Sequence, residues 1–183
     1  AERSIREIKK STRHIMINTK APKCLWDFCA VYACKIRCLT VHPNFAAQGR
    51  TPYELVTGRT PDISEYVEFE WYEPLWYYNQ EDYPADRRLL GRWLGVAHRV
   101  GQACCYYILT ASGQTIVRST VQKVSEDEYK STGFRDELTA YDLSIQTKLG
   151  QADIPIMPNK FLVDEDDFQV HEKVDPSGDM PEA

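Results

Sequence analysis

The sequence predicts an α+β fold in three successive parts: helices, then a compact set of short strands, then an acidic tail. Three observations carry that prediction. Apolar residues recur every three or four positions through the first forty residues. Near residue 66 the pattern changes to aromatic and β-branched text punctuated by Gly and Pro, and beyond residue 128 acids outnumber Lys and Arg twelve to five. The divisions that follow are 1–65, helical; 66–128, a small closed or half-closed β-barrel; and 129–183, acidic and largely flexible.

Residues 2–17 have helical spacing, with Ile5, Ile8, Thr12 and Ile15 on one side when roughly 100° is counted per residue. On the same wheel Glu2, Arg6, Lys9 and Arg13 fall within an arc of roughly 60° beside that apolar stripe, with Arg3 and Lys10 on the flank. One carboxylate therefore heads a row of cations. Ala21-Pro22 suits a helix start, and Leu25, Phe28, Cys29, Tyr32, Ile36 and Leu39 then recur at helical steps up to His42-Pro43, which predicts a second, more deeply buried helix. Thr51-Pro52-Tyr53-Glu54 combines an N-cap, a Pro at the first helical position and a Glu three residues after the cap, and Gly58 closes the short helix.

From about residue 66 the text EFEWYEPLWYY, LLGRWLGVAH, QACCYYIL and QTIVRSTVQKV predicts four or five short strands, joined by a polar loop at 79–88 and a turn at 111–114. Strands this short, each with a large residue to pack, suit a barrel that removes its own edges. Trp71, Trp76 and Trp93 are read as its filling, with base stacking as the alternative. In the tail, residues 134–149 have only a weak helical pattern, and DEDDFQVHEKVDPSGDMPEA reads as disordered.

Charge divides the chain more sharply than its total of −5 suggests. Residues 1–23 are +5, residues 24–128 are −3 and residues 129–183 are −7, so a polyanion contact is expected at one end only. The six cysteines form no paired CxxC units and read as reduced thiols. Cys34, Cys38 and His42 fall at four-residue steps, yet a mixed trio without a fourth ligand is more readily core than zinc site. His14 and His98 are weighed as a metal ligand and a phosphate contact, against the plainer reading of structural or exposed histidines. Arg92, Arg99, Arg118 and Lys123 are the barrel's candidates for DNA contact. No apolar run approaches the roughly 20 residues a membrane span needs, and no Ser/His/Asp order, glycine-rich phosphate loop or H-E-x-x-H helix is present.

The order of elements resembles the integrase of Copia-type retrotransposons. Ala1-Glu2-Arg3 is similar to the end of that family's G-V-A-E-R signature, and Ala21-Pro22 with Leu25-Trp26 to its P-x-x-F/L-W segment. Gly49 to Gly58 followed by Arg59-Thr60-Pro61 resembles its TPYE-x-x-x-G-x-x-P segment. Leu90-Gly91-Arg92-Trp93-Leu94-Gly95 is similar to its G-x-F-L-G-Y strand, and Val117 to Val121 stands in the place of V-x-S-R-D-V. The likeness runs from residue 1 to about 128. Phe69-Glu70-Trp71 replaces the family's F-G-C.

The resemblance implies the helical C-terminal part of a ribonuclease-H-like integrase core, a Src-homology-3-like barrel and an acidic flexible tail, truncated ahead of the third catalytic acid. It implies Glu2 as catalytic acid and metal ligand, and Arg3, Arg6, Lys9, Lys10 and Arg13 as DNA contacts. Mg²⁺ belongs only to the complete protein, because the two aspartates that would share it lie on strands this chain lacks. DNA and the remainder of the polyprotein are the implied partners, a homo-oligomer is an open one, no membrane is involved, and the setting is nuclear or cytoplasmic. Read from the residues alone, the charges of residues 2–13 are more simply a solvated helix face, with Glu2 and Arg6 an ordinary i,i+4 pair, and the resemblance reverses that preference. A host-retained interaction module and a non-functional relic are the competing readings.

Overall fold

The computed structural model describes residues 2–41, 49–78, 88–98 and 104–150. It holds α1 (Glu2–Thr19), a 3-10 turn (Lys23–Leu25), α2 (Trp26–Leu39), α3 (Pro52–Thr57) and α4 (Ser64–Val67). Strands β1 (Pro74–Tyr78), β2 (Arg88–Val96), β3 (Tyr106–Thr110), β4 (Thr115–Arg118) and β5 (Val121–Lys123) follow, then α5 (Glu126–Lys130) and α6 (Thr132–Leu149). The fold is thus mixed helix and sheet, with one antiparallel five-stranded sheet. Among the described residues no helix is long and apolar enough to cross a membrane.

Caps account for the helix boundaries. Thr51 and Glu54 form a reciprocal capping box, and Gly58 closes α3 in the left-handed region at φ 69°. The Thr51 backbone N–H, donated to the Glu54 carboxylate, holds that carboxyl below its ordinary value. Ser125 and Glu128 repeat the device at α5, and Ser131 caps α6. Along α2 the spacing places Cys29 and Ala33 in the core and leaves Phe28, Tyr32, Ile36 and Leu39 half-buried against it, while most of α1 is exposed, so the second helix is the more deeply buried of the two, as its pattern predicts.

The sheet order is β4-β3-β2-β1-β5, and it forces the sheet to curl. Arg118 lies level with Val96 of β2, through Tyr106, while Val121 lies level with Leu89, through Tyr77. In a flat sheet those two edge residues would be separated by four strand spacings, ~19 Å, and by ~24 Å along the strands. Only Ser119 and Thr120 join them, and three Cα steps reach at most ~11 Å, so the edges must bend toward one another. Curling needs relief at the close approaches. A Cβ on Gly91 would stand 2.5 Å from the Ile108 side chain, and Gly95, at φ 132°, carries the bulge where the β2–β3 register shifts.

Two expectations are corrected here. The stretch 66–73 is not strand: α4 occupies its start, and Glu70 to Glu73 form a turn with the Glu73 N–H on the Glu70 carbonyl and Tyr72 at φ 68°. The turn persists because Trp71 and Tyr72 stack in the core and the Tyr72 N–H bonds the Trp93 carbonyl. The tail, moreover, does not begin at 129. Residues 132–149 form α6, buried at Phe134, Tyr141 and Ile145, while 151–183 lie outside the described residues. Its anchors are polar as well as apolar: the Tyr141 hydroxyl donates to the Leu109 carbonyl at 2.7 Å, and both carboxylate oxygens of Asp142 accept from one guanidinium nitrogen of Arg92, at 2.6 and 2.8 Å.

Candidate functional site

α1 presents the sequence-predicted row as one surface. Glu2, Arg3, Arg6, Lys9 and Lys10 are exposed and Arg13 is half-buried, while Thr12 and Met16 on the adjoining stripe are buried. Anchoring explains why the helix holds that face outward. The Thr12 and Thr19 hydroxyls donate to the carbonyls four residues back, the Cys29 thiol of α2 donates to the Thr12 carbonyl, and Arg37 of α2 pairs with Glu7 at 3.5 Å. Arg6, Lys10 and Arg13 also have interactions within the fold. Burial pushes the Cys29 thiol up to about 12, which makes it an inert core group rather than a nucleophile.

Beside the cationic row lies an apolar groove of about 580 Å³ between α1 and α2. Ile5, Ile8, Met16, Trp26 and Ala30 line it, and Lys9, Arg13 and Lys23 edge it. Trp26 is 62% exposed and Ile5 52%, unusual for side chains of this size. The wheel places Lys9 and Arg13 beside the apolar stripe, and the structure keeps that neighbourhood. Lys23 and Trp26 were missed as site residues. Their signal was a cation and an aromatic at the start of a helix whose apolar spacing already ran through other positions.

The cations of the sheet lie apart from this groove. Arg92 is 12% exposed on its side chain, held by Asp142, by the Tyr72 carbonyl at 3.1 Å and over the Tyr72 ring. Lys123 bonds the Glu68 carbonyl at 3.0 Å and the Glu73 carboxylate at 3.2 Å, and half-buried Arg118 donates to the Val117 carbonyl. Pairing withdraws Arg92 from solvent, whereas the Lys123 side chain stays 52% exposed beside its partner and Arg118 is half-buried; Arg99 lies outside the described residues. Trp71, Trp76 and Trp93 are buried, so core filling holds and their faces offer no stacking platform.

The histidines divide in the same way. His98 accepts or donates at 2.6 Å with the Tyr66 hydroxyl and stands 3.6 Å from Glu65, a place where a phosphate would meet a carboxylate. Burial before all else pushes the Tyr66 phenol up to about 12. His14 is bonded to Asn18 on the exposed side of α1, and His42 lies outside the described residues.

Among the described residues no three His, Cys, Asp or Glu side chains gather where one ion could be held. Glu2 by itself is one hard oxygen donor on an exposed first turn, short of the carboxylate set that a Mg²⁺ pair needs, so no catalytic step is assigned to this chain's residues.

Fold and site together define a mixed helical and antiparallel-sheet protein with a cationic helix face beside an open apolar groove. No family model matches the sequence, and no curated protein and no solved structure matches it.

Proposed function

We propose that this chain is a DNA-contacting part of a Copia-type retrotransposon integrase, made of the helical rear of a ribonuclease-H-like core and a Src-homology-3-like barrel. One observation carries the reading: Arg3, Arg6, Lys9, Lys10 and Arg13 lie on the outward side of an 18-residue helix fixed along its other side. Such a helix is about 27 Å long, and cations held along it neutralise phosphates without reading bases. The barrel part rests on the curl demanded by the β4–β5 connection and on the G-x-x-x-G strand text of β2. In the complete protein Glu2 would give Mg²⁺ one oxygen ligand, with the other carboxylates coming from sequence outside this chain, and Mg²⁺ would supply charge stabilisation to phosphoryl transfer. The reading goes with a nuclear or cytoplasmic setting.

Salt dependence tests the proposal. Duplex DNA binding by the full chain should weaken steeply with ionic strength, and Arg6→Glu with Lys9→Glu should lower the slope of log affinity against log salt by about 2. Binding indifferent to salt and to this double substitution would sink it. A second reading is an interaction module that uses the sheet, where Arg92 is mostly buried and the charges of Arg88 and Lys123 are each paired with a carboxylate. That reading expects the indifferent result.

A further inference from the structure

The groove between α1 and α2 combines an apolar floor with a cationic edge, and any occupant must supply the complement of both. The chain itself contains one. In residues 151–183 nine acids face two lysines, and at one place three consecutive large apolar residues, Phe161-Leu162-Val163, run directly into four consecutive acids, Asp164-Glu165-Asp166-Asp167. Residues 2–23, which build the groove's α1 side and its Lys23 edge, carry seven Lys and Arg against two acids.

We propose that residues 161–167 dock in this groove, the apolar triplet against Ile5, Ile8 and Trp26 and the acids against Lys9, Arg13 and Lys23. The acidic end of the chain thereby covers the cationic side of α1. Covering Trp26 and Ile5 removes from water the apolar surface that the hairpin leaves open. The opposite charges select the partner and its direction along the groove. Reach permits it. Eleven residue steps separate Gly150 from Phe161, an extended span of about 38 Å, and a domain of this size is itself about 38 Å across, so most of its surface is within range. Docking stands apart from the DNA reading; only its consequence, a weaker DNA complex for the covered chain, rests on that reading.

Trp26 supplies the probe, because Trp71, Trp76 and Trp93 are buried and acrylamide quenching of the full chain reports mainly on Trp26. Substituting Phe161→Ser, Leu162→Ser and Val163→Ser together, in residues outside the described fold, should raise the quenching constant several-fold, and a Trp26→Phe background should erase the rise. Lys9→Glu with Lys23→Glu should likewise expose Trp26, and adding Asp164→Lys with Asp166→Lys to that chain should restore its protection. Equal quenching of the wild type and the triple-serine chain overturns the proposal. Protection that grows with protein concentration and tracks a dimer in sedimentation also overturns it, in favour of a second copy in the groove. Uncovering should tighten duplex DNA binding by about tenfold if the covered state is populated about nine-tenths of the time. Protection lost without any gain in DNA affinity upholds the docking and rejects the DNA role of α1.

Discussion

The sheet with α6 and the hairpin of α1 with α2 solve the same packing problem to different degrees. In the first region Trp93, Leu75, Ile108, Leu109 and Ile145 are fully buried, and the polar groups that cross between sheet and helix, Tyr141 and Arg92, have partners at hydrogen-bond distance. In the second, α1 buries Thr12 and Met16 only, and the apolar edge it shares with α2 stays open at Ile5 and Trp26. A closed core holds a shape. An open apolar edge with cations along it keeps a driving force in reserve for a further association, since each Å² removed from water contributes about 25 cal/mol.

Two tryptophans separate the regions most strongly. Trp93→Ala removes a fully buried indole that meets Tyr32, Phe69 and Tyr106, and should cost about 3–5 kcal/mol in urea denaturation. Trp26→Ala, made in the chain that carries Phe161→Ser, Leu162→Ser and Val163→Ser, should stay within about 1 kcal/mol, because with the groove uncovered the side chain faces solvent. Similar losses for both would mean that α1 and α2 themselves close over Trp26.

Alkali should act next most strongly, and on both regions. Burial pushes the Tyr66 and Tyr72 phenols up to about 12 from an ordinary value of 10. Below pH 10 both are neutral whether the chain is folded or not; above it the unfolded chain loses protons first, so stability falls across pH 10–12. Each phenol contributes on the order of 2–3 kcal/mol to that loss. Burial raises Tyr77, Tyr106 and Tyr141 as well, so a late stage of tyrosinate absorbance should appear together with the loss of circular dichroism. Complete ionisation with the fold intact would place Tyr66 and Tyr72 in water.

Legibility in the sequence followed the same division. α1, its cationic row and the α3 capping box could be read because each rests on local spacing: a three-to-four-residue period, or Thr51 and Glu54 three apart. The strands could be read from their aromatic and branched content, although the run QTIVRSTVQKV hid a break, since Ser119-Thr120 carries the chain from one sheet edge to the other. α6 was nearly invisible. Only Phe134, Tyr141 and Ile145 are buried along its 18 residues, and what fixes it is a phenol on a strand carbonyl and a carboxylate on Arg92, contacts 32 and 50 residues away in sequence. For the site, the wheel located the cations of α1 but not the groove, because a groove needs the second helix. The same limit hid the long-range carboxylate that draws Arg92 out of solvent.

Asp142→Asn acts on the sheet and α6 alone. The substitution keeps the shape and one carbonyl oxygen for Arg92 but removes the negative charge, leaving a mostly buried guanidinium with the Tyr72 carbonyl and two aromatic rings. A buried pair broken on one side costs several kcal/mol, but Asp142 is partly open to water, so about 1–2 kcal/mol is expected here. Hydrogen exchange locates the loss. Amides of α6 should exchange faster while those of α1 and α2 stay unchanged, because the hairpin meets the sheet elsewhere, through Tyr32 on Trp93 and Phe28 on Tyr107. If the α1 amides loosen in step with α6, the chain unfolds as one cooperative unit. The open groove would then be a surface detail of a single core, and its exposure would reflect the stability of the whole protein instead of a separate, loosely held hairpin.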